Sequence, residues 1–325
     1  MNDPKKEQVQ VFSKTTARGF STAIKNIMAE RRFHEFRFDK EYLARFEEGV
    51  SRIEDMLLPT YRLVVERGAL SNDPDERATL AVLIAFQMLR TRSYRDMYVR
   101  LEKELGEHLA ESGHTLSDLA GYQPQTEDML KAQQIKAITE QIGTFASAIC
   151  EKDFVLLRAP KGRGFYLSDN PVALHNDAPR HPLFGNLGLA VRGIQIHLPL
   201  SAELMLCAWC PSILAELRAG LAKQRRLVSS TILSPKAMAQ IDTDLLDKLI
   251  RDTNGHQTSA KRIFGCFDDG HPLSLEPINM DFYNTMQVHN AREFIVCQRG
   301  DFELARRFLA ARQAEGVGRK LTTLA

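Results

Sequence analysis

The period of apolar and polar positions changes along the chain. Gln8-Val9-Gln10-Val11-Phe12 alternates as a half-buried strand does, Ser13 to Gly19 reads as a turn, and Phe20 to Ile27 either pairs back as a hairpin or begins a helix. From Asp39, which offers an N-cap, the apolar positions Tyr42, Phe46, Val50, Ile53 and Leu57 recur at spacings of three and four. Pro59 is expected to kink or break this helix and Gly68 to end it. A second helix begins near Ser71-Asn72-Asp73-Pro74, runs through Leu80, Leu83, Ile84 and Met88, and is expected to reach as far as Leu109. The polar stretch from Glu111 to Asp128 reads as a linker, and a third long helix covers Thr126 to Cys150.

Beyond Cys150 the period shortens. Phe154 to Leu157, Phe165 to Leu167, Ile194 to Leu200 and Glu203 to Trp209 are short strand-like runs separated by Gly and Pro. Helices are expected again over Pro211 to Lys223, Pro235 to Asp252, Met280 to Ala291 and Phe302 to Gln313, with a strand over Glu293 to Cys297. Helices dominate the first half and strands the second. That segregation predicts a helix-rich α+β fold with one irregular mixed or antiparallel sheet in the second half, rather than a regular βαβ array. Residues 1–115 form a mainly helical region and residues 116–325 carry the small sheet and the later helices, the whole expected as one compact domain.

Composition narrows the function classes. The 43 basic and 41 acidic residues nearly cancel, which gives no general field for nucleic acid or an anionic membrane surface. The longest apolar run, Leu80 to Phe86, is far shorter than the roughly 20 residues a bilayer span needs. The first residues carry no apolar segment of a secretion signal, so a cytoplasmic location is expected. The five cysteines, odd in number and irregularly spaced, read as reduced thiols. Cys207-Ala-Trp-Cys210 lacks a second pair for a zinc ribbon, and it closes a strand where a redox pair would open a helix, so core packing is the expected role. The histidines show no metal spacing: His34-Glu35 has no second His four residues on, although His175, His181 and His197 share a loop-rich segment in which they could converge. Gly162-Arg163-Gly164 fails the dinucleotide fingerprint and reads as a hairpin turn, and no P-loop occurs. Ser168-Asp169-Asn170 lacks the S-x-x-K and K-T-G that a serine β-lactamase needs, and a restriction-type carboxylate core is missing. No metal and no cofactor is expected, and the sequence leaves the partners unknown.

One segment is less ordinary. Phe165-Tyr166-Leu167-Ser168-Asp169-Asn170-Pro171-Val172 runs an apolar strand into three small polar groups and a proline. Such groups at a strand end could bind a ligand or orient a water; equally, they could form an Asx-turn that satisfies local N–H groups. Arg90, at the end of a strongly apolar helix, could point into a cleft.

The run Leu167-Ser168-Asp169-Asn170-Pro171-Val172 with Leu198-Pro199-Leu200-Ser201 resembles the heart of a large bacterial family known as a domain of unknown function, family four-two-three-eight. Val9-Gln10-Val11-Phe12 with Asn26 to Phe33, Ala85 to Thr91 (with Arg92 where the family has proline), and Asn284 to Ile295 extend the resemblance from Val9 to Val296. It implies no activity, but it groups Arg90, Ser168, Asp169, Asn170 and Asn284 as a candidate polar site. The family's leading His-x-x-Pro segment is not found ahead of Val9, from which a start codon set too late is expected. Two functions remain: a non-catalytic ligand- or partner-binding protein with a polar cleft at the Ser168 to Pro171 turn, or a hydrolase or nuclease-like effector using Asp169, Asn170, Arg90 and Asn284.

Overall fold

The structure is a computed structural model and describes residues 8–27, 40–179, 186–232 and 243–314. The Asp39 cap, the His34-Glu35 pair, His181 and the expected helix start at Pro235 lie outside these residues. The described chain is helix-rich α+β. Its elements are β1 (Gln8–Ser13), β2 (Arg18–Ala23), α1 (Lys40–Arg67), α2 (Pro74–Leu89), α3 (Arg92–Glu111), α4 (Glu127–Cys150), β3 (Asp153–Arg158), β4 (Leu167–Ser168), β5 (Ala173–His175), β6 (Gln195–Pro199), β7 (Leu204–Trp209), α5 (Pro211–Ile232), α6 (Thr243–Asp269), β8 (Leu273–Ser274), α7 (Pro277–Asn290), β9 (Phe294–Val296) and α8 (Glu303–Ala314).

The strands form two sheets where one was expected. The first is antiparallel, in the order β2-β1-β9-β4; the second runs β5-β6-β7-β3-β8 and is antiparallel apart from the parallel β3–β8 pair. The N-terminal hairpin therefore belongs with the C-terminal strand β9, a pairing that no local pattern can announce. β1 is flanked on both sides, by β2 and β9. Pro59 lies inside α1 and does not end it, and Gly68, at φ +64°, supplies the left-handed stop. The helix expected to run on to Leu109 is two helices, broken at Arg90–Thr91. Thr91 is the N-cap of α3 and Arg92 its first residue, the position where a proline is well accommodated.

The second sheet is buried on both faces, which explains why β7 reads as a continuous apolar run. Phe154, Leu156, Leu206, Ala208, Ile196 and Leu198 meet α1, α2 and α4 on one side. Val155, Leu157, Met205 and Cys207 face Cys266 of α6 and Met280 and Tyr283 of α7 on the other. The first sheet closes over a third cluster, in which Phe12, Tyr166 and Ile295 pack on Val288 and Ala291, at the C-terminal end of α7, and on Phe302 and Ala305. α7 thus packs against both sheets.

A backbone contact locks the helical layer to α6. Leu70 N donates to Gly270 O at 2.8 Å, and a Cβ on Gly270, at φ +71°, would stand 2.2 Å from Leu70 O. Gly270→Ala should therefore cost about 3 kcal/mol, from left-handed strain and a clash with rigid backbone. Gly143→Ala, in α4 with open space around it, should add about 0.5–1 kcal/mol. Urea midpoints of the two variants should move in opposite directions.

Candidate functional site

The chain from Gly164 to Val172 is almost all irregular, since β4 contributes only Leu167 and Ser168 to a ladder. Its buried backbone groups need other partners. Three amides of α7, at spacings of three residues and so on successive turns of one face, supply them. Asn284 Oδ1 accepts from Tyr166 N at 2.9 Å and its Nδ2 donates to Gly164 O at 3.1 Å. Gln287 Oε1 accepts from Ser168 N (3.2 Å) and Ser168 Oγ (2.9 Å), while its Nε2 donates to Pro171 O at 2.8 Å. Asn290 Nδ2 donates to Asn170 O at 2.6 Å and Val172 O at 2.8 Å, and its own carbonyl accepts from Asn170 Nδ2 at 3.2 Å. Gln287 and Asn284 are buried, as is Ser168.

Asp169 faces the other way and holds the turn that follows α7. Its Oδ1 accepts from Arg292 N (2.8 Å), and its Oδ2 accepts from Glu293 N (2.8 Å) and Phe294 N (3.0 Å). The turn is held from the end of β1 and the turn after it as well: Ser13 Oγ donates to Glu293 Oε1 at 2.5 Å, Thr15 Oγ1 donates to Glu293 Oε2, and Lys14 Nζ donates to Ala291 O. Burial lowers the Lys14 pKa, opposed by the Asp169 charge, lowered further by Arg312 and opposed again by Glu293. Arg292 also reaches α3, pairing with Asp96 at 2.6 Å.

The structure therefore brings Ser168, Asp169, Asn170 and Asn284 together and leaves Arg90 elsewhere. Arg90 is exposed, pairs with Glu54 of α1 at 2.9 Å and lies over the Phe86 ring. Its neighbour Thr91 makes the link instead, donating from Oγ1 to Asn170 Oδ1 at 3.3 Å. Behind it, the buried Gln134 donates to Leu89 O (2.7 Å) and Thr91 O (2.9 Å) and accepts from Arg95 Nη1 at 2.5 Å. Sequence reasoning missed Gln287, Asn290, Thr91, Gln134 and Lys14. A signal for Gln287 was present: an amide among the apolar positions Met280, Tyr283 and Val288, where a polar side chain persists only with partners.

Two other groups are placed by the fold. Among the described residues no set of three or more His, Cys, Asp or Glu is arranged to hold a metal ion. All five cysteines are free. His175 and His197 do converge, on adjoining strands β5 and β6, with His175 paired to Asp177 at 2.8 Å. His197 is fully buried, its ring against Tyr283 with centroids 5.2 Å apart, and neither ring nitrogen makes a well-formed hydrogen bond. Burial, aided by His175, pushes its pKa down to about 3; the Ala173 backbone opposes this and is the least of the three influences.

Gln287→Leu strands two buried Ser168 groups and a carbonyl, and should cost about 3 kcal/mol; Arg90→Ala, at an exposed ion pair, should cost under about 1 kcal/mol. Chemical denaturation of the two variants distinguishes the roles. His197 adds a pH dependence. Its folded pKa of about 3 lies below the ordinary 6.5, so only the unfolded chain takes up the proton as pH falls below 6.5. Stability is then lost from pH 6.5 down to pH 3, about 2 kcal/mol of it by pH 5. His197→Leu should lose that much less than the wild type between pH 7 and pH 5, in paired urea titrations.

No curated protein and no solved structure matches the chain. A family model does, over residues 2–301, and its description is "Protein of unknown function (DUF4238)". The matched stretch contains the Ser168-Asp169-Asn170-Pro171 run and the three α7 amides that hold it, and on that match the chain belongs to this family.

Proposed function

We propose that this protein acts by binding a partner and not by catalysis, with the Ser168 to Pro171 segment as the frame that holds its tertiary structure. The observation that carries this reading is the use already made of the polar groups. Both Asp169 oxygens are occupied by three backbone N–H donors. A general base or metal ligand needs a carboxylate oxygen turned to the reacting group. Both ends of the Asn284 amide are bound to backbone, and Asn170 is tied to Thr91 and Asn290. Arg90, the anion anchor of a hydrolase or nuclease-like reading, is paired with Glu54 away from this set.

A binding protein needs surface, and α3 has apolar surface to offer. Met97, Leu101 and Leu105 follow one another at spacings of four and are 43%, 61% and 45% exposed, with Tyr94 and Tyr98 packed edge to face beside them. Contiguous exposed apolar side chains of this kind are what a protein partner with an apolar face covers.

One thermal scan separates the two readings of Asp169. As a frame, Asp169→Ala loses three charge-assisted hydrogen bonds and should cost about 2–4 kcal/mol. A carboxylate kept for chemistry at the expense of stability would leave melting unchanged or higher, and that result would sink the proposal. The surface arm uses Leu101→Arg, which should leave stability within about 0.5 kcal/mol. A protein that purifies in defined stoichiometry with the wild type should be absent from this variant.

A further inference from the structure

Charge is not spread evenly along the chain. The whole sequence carries a net charge of +2, yet residues 218–232 of α5 and 248–262 of α6 hold eight basic residues against one acidic residue, Asp252. All eight basic side chains are exposed. Glu216, in the first half of α5, is taken by Arg192 at 2.9 Å, and among the described residues none of the eight makes an ion pair. Arg218 alone stands within electrostatic reach of a carboxylate on another layer, Asp153 of β3.

The packing of the two helices gathers these charges. Gln224 Nε2 donates to Thr253 Oγ1 at 3.3 Å, Arg225 Nη2 donates to Gln257 Oε1 at 3.3 Å, and the Arg218 guanidinium lies over the Phe264 ring, 4.8 Å from its centroid. These contacts set α5 and α6 antiparallel. Lys261 comes four residues after Gln257 and three before Phe264, so it shares their face of α6 and stands at a level between Arg225 and Arg218. Arg218, Lys261 and Arg225 therefore form a row on one side of the helix pair, about 10 Å long from the rise of seven helical residues. Lys223, Arg226 and Arg262 add exposed charge around it.

Like charges this close repel one another, and a polyanion laid along the row relieves that repulsion. We propose that the α5–α6 pair binds the phosphate backbone of duplex nucleic acid without regard to base sequence. Cations on an exposed helical surface reach phosphates, which position a protein on a duplex and carry no sequence information. A single strand would be held by aromatic side chains on which its bases stack, and neither stretch contains Phe, Tyr or Trp. A membrane surface would need an apolar face beside the basic one. Leu227, 59% exposed, is the one large apolar side chain exposed there among the described residues. This is a second surface, on elements other than α3, and it stands whether or not α3 binds a protein.

The test measures fluorescence anisotropy of short labelled duplexes, one of DNA and one of RNA, on adding the full chain. Binding to either supports the proposal, and the two arms tell which backbone is preferred. Log Kd should rise linearly with log salt, with a slope of about 3 or more for the three cations of the row and their neighbours. The double variant Arg226→Gln with Lys261→Gln, both at exposed positions, should melt as the wild type does. It should lower that slope by about 2 and weaken binding about tenfold for each cation removed at 0.1 M salt. Lys136→Gln, which removes a cation paired with Glu140 on α4, should leave binding unchanged. The proposal is overturned by no binding at low salt, by a single strand held more tightly than the duplex, or by capture on phosphatidylserine vesicles without binding to either duplex. A folded double variant that binds as the wild type does, or a loss as large with Lys136→Gln, overturns it as well.

Discussion

Backbone hydrogen bonding that no ladder can supply is the constraint on which this fold depends. Between Gly164 and Val172 the chain crosses the interior with two residues in a strand, so most of its N–H and C=O groups have no ladder partner. Each such group left bare in the interior costs about 1–3 kcal/mol. Asn284, Gln287 and Asn290 meet that requirement with six hydrogen bonds from their side chains to its backbone. Amides suit the task because each carries both a donor and an acceptor and no charge to desolvate. With this segment held on α7, Asp169 can gather the turn after that helix, β9 is aimed along β1, and α8 can close the third core cluster.

The same arrangement bears on what the polar groups are free to do. A run of serine, aspartate, asparagine and proline at the end of a buried strand has the composition of a reaction site, and each of its polar side chains is hydrogen-bonded within the fold. Three N–H groups around one carboxylate resemble an oxyanion hole filled by the protein's own side chain. The strength of that hold comes from the charge on Asp169, which makes these bonds roughly twice as strong as neutral ones. The turn is therefore rigid by construction, which suits a frame.

Much of the architecture was legible in the sequence, and the rest was hidden for identifiable reasons. The spacings of three and four that set α1, α2 and α4 are local and survive into the structure. Pro59 misled because tertiary packing of α1 outweighs one lost helix bond. The sheet that joins β1 to β9 was hidden because its strands lie about 280 residues apart, as the Ser13–Glu293 contact shows, and β5 and β8 of the other sheet are too short to show a period. Of the candidate site, Ser168, Asp169, Asn170 and Asn284 were found, since their clustering at a strand end and a helix is visible in composition. Arg90 was one residue off. A helix turns about 100° per residue, so Arg90 faces α1 while Thr91, at the break, faces Asn170.

Polar groups that the fold satisfies and those that it leaves open lie in different places, and the contrast bears on where chemistry resides. The Ser168 to Pro171 run carries the most suggestive sequence, and its hydrogen bonds are closed. The groups left open sit in less conspicuous surroundings. Among the described residues, His197 is buried with neither ring nitrogen well bonded, and the buried Nε1 of Trp209 has no hydrogen-bond partner. Each costs stability where a hydrophobic residue would not. A sequence scan ranks polar motifs by their density, whereas reactivity depends on unspent hydrogen-bonding and charge.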